Sequence, residues 1–204
     1  MRGRFRLWAI EADRVRSIFG APDDLADRFL RLAREHFTLP PPPPARFGPL
    51  LRRDWSAPRL PAGQPTVLDA ERLCHGQAVP PERLGPAWRL VETWLDDLAP
   101  ALSLELTSDA LDSVDADVRR LGLDPGVTLR GLLRHRLDLP LPPPPGRLIS
   151  HVTPAQVAAA HRAWTDHAAD FTPSAADTLA PVRRFLDAEA DWRRTGLVAS
   201  WANE

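Results

Sequence analysis

Hydrophobic residues return every three or four positions over most of the chain, which is the spacing of an amphipathic helix. The strongest apolar stripe covers residues 82–98 and is typical of a buried helix face. Thr153 is followed three positions later by Gln156, a capping box that marks a helix start. The predicted helical segments are residues 13–19, 22–37, 68–75, 82–98, 108–121, 129–136, 153–171 and 172–194.

Short alternating segments predict strands at residues 5–10, 102–106 and 197–201. A few short strands among many helices favour an α+β fold that is mostly helical. In this fold the helices pack around a small sheet of short strands, with proline-rich loops between the elements. The length of 204 residues predicts a single domain over residues 1–204.

Five consecutive prolines begin at Pro40, and such a run adopts stiff polyproline II rather than helix. Residues 40–66 stay rich in proline, glycine and arginine around Trp55, which predicts a loop or covering segment within the domain. A rigid spacer is the simpler interpretation of this segment, and a ligand for an SH3-like partner is the alternative.

Composition narrows the class of protein without naming a function. The net charge is −1, there is one cysteine, and no apolar run approaches the ~20 residues of a membrane span. These values exclude a disulfide-stabilised mini-protein, a membrane protein and a strongly basic nucleic-acid binder, and they favour a cytoplasmic location. All 26 basic residues are arginine, which is typical of a GC-rich genome and lowers the weight of any arginine cluster.

Histidines provide the first candidates for chemistry, because imidazole titrates near neutral pH and ligates metals. His161 falls within the apolar stripe of the helix that begins at Thr153, with His167 at the edge of that stripe and His151 just before the helix. The six-residue spacing of His161 and His167 does not direct both rings at one metal ion. A structural, partly buried histidine is the competing interpretation.

Glu189 falls near the centre of the apolar face of the following predicted helix. If the two helices pack antiparallel, this carboxylate meets His161, His167 or an arginine, and the first two pairings are candidate acid–base pairs. His161 and Glu189 are therefore the catalytic candidates, and His151, His167 and Trp55 are the binding candidates.

Other chemical signals are weak. Cys74 and His75 are adjacent on a helix and point about 100° apart, so they form no nucleophile–base pair by themselves. The aspartates between residues 109 and 117 lack the glycine and glutamate of a calcium loop. Phosphate-binding loops, dinucleotide fingerprints and metal-binding His-Glu pairs are absent from the sequence, so no cofactor and no metal is expected.

Four short stretches together carry a family resemblance. They are residues 7–15 (LWAIEADRV), residues 73–76 (LCHG) with Trp88 following, residues 114–122 (VDADVRRLG), and Trp192 with the later residues 196–198 (GLV). In this order they resemble an uncharacterised actinobacterial family related to YfbM-like domains of unknown function. The resemblance implies a compact α+β protein with helices around a small sheet, and it brings no catalytic residues. Tryptophan replaces tyrosine at aromatic positions, and residues 40–66 are richer in proline than the family pattern.

Three hypotheses about function follow. The first is a protein-binding module of accessory, regulatory or immunity type, whose partner is another protein. The second is an enzyme with an unrecognised site at His161 and Glu189. The third, nucleic-acid binding, requires a concentrated basic face that the near-neutral composition does not favour.

Overall fold

The computed structural model describes residues 2–37 and 63–203, and helices dominate this part of the chain. Two short 3₁₀ turns, Pro81–Arg83 and Pro125–Val127, precede helices. Together with one small sheet, described below, the helices confirm the predicted fold class, which is α+β and mostly helical. The helices are α1 (Ala12–Arg16), α2 (Asp23–His36), α3 (Val67–Cys74), α4 (Leu84–Leu98), α5 (Ser108–Arg120), α6 (Leu129–Leu132), α7 (Pro154–Asp166), α8 (Pro173–Ala188) and α9 (Trp192–Thr195).

Four antiparallel strands form one sheet in the order β2-β1-β4-β3. On β1, Phe5 lies opposite Leu104 and Trp201 on the two neighbouring strands. The Trp201 ring lies directly over Gly3, in the space that a Cβ at this position would occupy. A larger residue at position 3 would therefore displace the indole from the core face. The strands are β1 (Arg2–Trp8), β2 (Ala101–Thr107), β3 (Arg147–Val152) and β4 (Leu197–Asn203).

The described residues divide into two compact units. The described part of the sheet unit comprises residues 2–16, 95–139 and 143–203, and it holds all four strands and most of the helices. The described part of the helical unit comprises residues 17–37, 63–94 and 140–142. The helical unit holds α2, α3 and most of α4.

The core of the sheet unit lies between one face of the sheet and α5, α7 and α8. Phe5 and Leu7 from the sheet and Trp164 from α7 are fully buried in one hydrophobic cluster. Trp164 also donates an indole N–H to the Val127 carbonyl at 2.8 Å, which ties α7 to the 3₁₀ turn Pro125–Val127. Burial of these aromatic and aliphatic side chains is the main stabilising contribution of this unit.

The core of the helical unit combines aromatic packing with a buried ion pair. Phe29 meets Trp94 edge-on with ring centroids 5.6 Å apart. Asp69 closes the capping box of α3, because Thr66 donates to it through its backbone N–H at 2.9 Å and its hydroxyl at 2.7 Å. Arg83 donates to the same carboxylate through Nε at 3.0 Å, and both side chains are almost fully buried.

Several predicted elements need correction in detail. The helices predicted over residues 13–19 and 153–171 end at Arg16 and Asp166. The segment predicted as one helix over residues 172–194 forms α8 and α9, since the backbone turns extended at Glu189 (φ −101°, ψ 91°). The helix predicted over residues 129–136 ends at Leu132. Strand β3 was not predicted, because its six residues follow a proline run and carry little alternation.

The structure describes the second proline-rich segment but not most of the first. Trp55 and most of the predicted loop 40–66 lie outside the described residues. The second proline run has no regular structure, and Trp88 donates its indole N–H to the Pro142 carbonyl at 2.8 Å. A membrane-spanning helix is absent from residues 2–37 and 63–203.

We expect Asp69→Asn to lower the free energy of unfolding by about 3–5 kcal/mol, because it leaves the buried Arg83 guanidinium without a counter-charge. Urea denaturation measures the change. Asp27→Asn is the matched control, since Asp27 is an exposed aspartate on α2 and its replacement is expected to change stability by less than about 0.5 kcal/mol. Equal stability of the two variants would contradict the role of the ion pair.

Asp117 on α5 fastens this helix to the start of α8. Its carboxylate accepts from the Thr172 backbone N–H at 2.6 Å and hydroxyl at 2.8 Å, and from Arg120 Nε at 3.0 Å. Burial by itself would raise the pKa of Asp117, but the hydrogen bonds from Thr172 and Arg120 outweigh it and lower the pKa below its ordinary value. The carboxylate therefore stabilises the fold in its ionised form.

A carboxyl with a lowered folded-state pKa contributes stability above its unfolded pKa and loses it as pH falls through the folded pKa. We expect Asp117→Asn to cost about 2 kcal/mol at neutral pH, and the difference from the wild type to shrink below about pH 4. Urea denaturation across a pH series measures this. A difference that stayed constant down to pH 2 would contradict the assignment, and exposed Asp177→Asn is the control.

Candidate functional site

The structure gives His161 a carboxylate partner, and that partner is Asp187. His161 Nε2 donates to Asp187 Oδ1 at 2.8 Å, and the imidazole lies against Trp192 with ring centroids 5.9 Å apart. The His161 side chain is about one-fifth exposed and the Asp187 side chain is mostly exposed. This arrangement is a surface histidine–carboxylate contact between α7 and α8.

Glu189 follows the last residue of α8 as its C-cap and is half-buried. Its predicted position in the middle of a helical apolar face is wrong, because the helix ends one residue earlier. His167 is the C-cap of α7, with Nδ1 3.2 Å from Asp170 Oδ2. His151 lies on β3. Trp55 lies outside the described residues.

Cys74 is buried at the end of α3. Burial first, and the nearby Glu71 carboxylate second, raise the pKa of the Cys74 thiol to about 11. The thiol is therefore protonated at neutral pH and is a poor nucleophile. Groups of three or more metal-binding side chains are absent from the part of the chain that the structure describes.

A cavity of about 450 Å³ opens on the sheet unit beside α5 and α6, and we call it the arginine pocket. Three guanidinium groups and one carboxylate belong to it, alongside apolar side chains. Its lining residues are Asp115, Val118, Arg119, Gly122, Leu123, Pro125, Thr128, Arg130 and Arg134.

The three arginines of this pocket differ in how they are held. Arg130 donates through Nη1 to Asp112 Oδ1 at 2.7 Å and to Asp115 Oδ2. The hydrogen bond to Asp115 is the main cause that raises the pKa of Arg130, against the opposing effect of partial burial. The side chains of Arg119 and Arg134 are exposed, and their guanidinium groups have no hydrogen bond or ion pair with any residue that the structure describes.

The second oxygen of Asp115, Oδ1, is buried and has no hydrogen-bond partner among the described residues. Because this atom is not exposed to the cavity, it is not an acceptor that a ligand can reach. The pocket therefore presents two unpaired cationic groups, the guanidinium groups of Arg119 and Arg134.

A second cavity, of about 240 Å³, lies nearby on the sheet unit, and we call it the histidine pocket. His135 and Gln156 meet in it, with Gln156 Nε2 2.7 Å from His135 Nε2. Its lining residues are Asp124, Gly126, Val127, Gly131, Leu132, His135, Val152, Gln156 and Ala159.

Residues 122–128 supply lining residues to both pockets. This segment is packed directly on the start of α6, where a Cβ at Gly131 would lie 2.5 Å from the carbonyl oxygens of Pro125 and Gly126. Only glycine at this position permits such a close approach of the two backbones. Gly131 therefore helps to fix the wall that the pockets share.

Sequence reasoning missed both pockets. It discounted arginine clusters on grounds of composition, although Asp115 with Arg119 and Arg130 with Arg134 each show the four-residue spacing of one helix face. Gln156 was identified only as a capping residue. His135 carries no local pattern, because its side-chain partner Gln156 lies 21 positions further along the chain. The contact of Asp124 with the Gly126 N–H is local, but it does not by itself indicate a pocket.

The candidate residues from the sequence do not assemble into one site. His151, His161, His167 and Glu189 line neither of these two pockets. The chain matches no family model, and comparisons with curated proteins and with solved structures give no significant match.

Proposed function

We propose that the protein is a protein-binding module of accessory or regulatory type, and that its arginine pocket receives an acidic segment of the partner. The observation that carries the proposal is the state of Arg119 and Arg134. Both are exposed guanidinium groups at one cavity, and neither has a carboxylate partner in the described part of the chain.

Like charges gathered at one cavity repel each other, and an incoming anion relieves that repulsion. A guanidinium group offers several N–H donors in a planar fork that matches a carboxylate in a bidentate manner. Arg119 and Arg134 have these donors available. Two such groups at one cavity suit a ligand with more than one negative charge.

Arg130 is held differently from the other two arginines. Asp112 and Asp115 fix its guanidinium at the cavity wall and compensate its charge. The positive charge available to an incoming anion therefore comes from Arg119 and Arg134, while Arg130 contributes an ordered wall.

The remaining lining favours a peptide over a nucleic acid. Val118, Leu123 and Pro125 give the cavity apolar surface, which suits side chains more than a phosphate backbone. Recognition of acidic motifs by arginine clusters is a recurring mode of peptide binding.

Other expectations from the sequence stay predictions: the relationship to YfbM-like domains, the cytoplasmic location, and an enzyme site at His161 and Glu189. For the enzyme hypothesis, the contact between His161 and Asp187 supplies an imidazole–carboxylate pair. The pair lines neither of the two pockets, so we favour the binding function.

The test is a titration of the protein against a fluorescein-labelled peptide of alternating glutamate and leucine, followed by fluorescence anisotropy. We expect the wild type to bind and the double variant Arg119→Ala/Arg134→Ala to bind at least about tenfold more weakly. Added salt should weaken the wild-type complex, because exposed charges are screened.

The matched control is Arg162→Ala/Arg184→Ala. It removes the same charge from exposed positions on α7 and α8 of the sheet unit, and neither residue lines the arginine pocket. We expect this variant to bind like the wild type. Equal binding by the pocket variant would contradict the proposal, and tighter binding of a single-stranded oligonucleotide of matched charge would favour nucleic-acid recognition instead.

A further inference from the structure

We infer that the histidine pocket is a second ligand site, separate from the arginine pocket, that binds a small amine-bearing molecule of about the size of an amino-acid amide. The inference goes beyond the proposed function and depends on different residues. It stands on the convergence of Asp124, His135 and Gln156 on one small cavity with apolar walls.

Gln156 has a fixed orientation. Its Oε1 accepts from the Thr153 backbone N–H at 2.9 Å and from the Thr153 hydroxyl at 3.0 Å, which completes the capping box of α7. A backbone N–H can only donate, so the oxygen of this amide must face Thr153. The amide nitrogen of Gln156 is therefore the atom that lies 2.7 Å from His135 Nε2.

This orientation determines the state of His135. Because the Gln156 amide nitrogen donates, His135 Nε2 must accept, and the ring hydrogen of the neutral imidazole is carried by Nδ1. With its basic nitrogen occupied, His135 is not free to abstract a proton from a ligand. The side chain instead offers an Nδ1–H donor, which suits a binding role better than a catalytic one.

Asp124 adds a negative charge to the same cavity. Its Oδ1 accepts from the Gly126 backbone N–H at 2.6 Å, which orients the carboxyl group. Its Oδ2 has no hydrogen-bond or ion-pair partner among residues 2–37 and 63–203. A fixed carboxylate oxygen at a cavity wall favours a cationic donor such as an ammonium group.

The walls set the size and polarity of the ligand. Val127, Leu132 and Val152 line the cavity and are almost fully buried. A volume of about 240 Å³ corresponds to roughly eight water molecules. A molecule that fits carries an ammonium group for Asp124, a carbonyl for the His135 and Gln156 donors, and a short aliphatic body for the walls.

L-Leucinamide has these three parts and serves as the probe. We expect it to cause saturable shifts in the ¹H–¹⁵N NMR signals of Gly126 and of the Gln156 side-chain amide. N-Acetyl-leucinamide, which lacks the ammonium charge, should bind at least about tenfold more weakly. The long-range ¹H–¹⁵N spectrum of His135 should show the hydrogen on Nδ1.

Asp124→Asn is the decisive variant, because it removes the charge and keeps an oxygen for the Gly126 N–H. We expect at least about tenfold weaker binding of L-leucinamide, whereas Asp177→Asn and the arginine-pocket variant Arg119→Ala/Arg134→Ala should bind like the wild type. Unchanged binding by Asp124→Asn, no saturable shift with L-leucinamide, or a hydrogen on His135 Nε2 would each overturn the inference.

Discussion

The carboxylates of α5 are the constraint on which the rest of the sheet unit's surface depends. Asp117 gathers Thr172 and Arg120, and so fixes the start of α8 against α5. Asp112 and Asp115 hold Arg130 and so fix the position of α6. Three aspartates of this stretch, Asp112, Asp115 and Asp117, therefore bind cationic and N–H groups of this chain itself. The lowered pKa of Asp117 links the position of α8 to the charge of that carboxylate.

The two pockets follow from how α5 and α6 are joined. Two contacts fix the position of the connecting segment, residues 122–128. The backbone of this segment packs closely against Gly131, and the Trp164 indole N–H donates to the Val127 carbonyl. Its residues line the arginine pocket and the histidine pocket. Neighbouring pockets of different charge suit a module that contacts an acidic protein segment and, separately, a small amine. Both proposals rest on groups that have no side-chain partner among the described residues: the guanidinium groups of Arg119 and Arg134, and one carboxylate oxygen of Asp124.

Elements with strong local signals could be predicted from the sequence. The apolar stripe of α4 and the capping box of α7 predicted their helices, because each signal lies within a few turns of chain. Strand β3 and the break at Glu189 could not be predicted in this way, because contacts with residues distant in sequence determine them. Candidate functional residues were limited in the same way. The sequence placed His161 correctly on its helix, but the carboxylate that contacts it is Asp187 rather than Glu189. Only the folded structure shows that the guanidinium groups of Arg119 and Arg134 are unpaired, and the arginine-rich composition had lowered the weight given to them.

The central claim is that one arginine of the pocket is held while two are free, and NMR relaxation of arginine side chains tests it most directly. The heteronuclear NOE of each Nε–Hε group would be measured in the unliganded protein. The account predicts a rigid Arg130 and mobile Arg119 and Arg134, comparable to exposed Arg162. If Arg119 and Arg134 were as rigid as Arg130, they would have partners within the protein, and the proposed binding function would lose its basis.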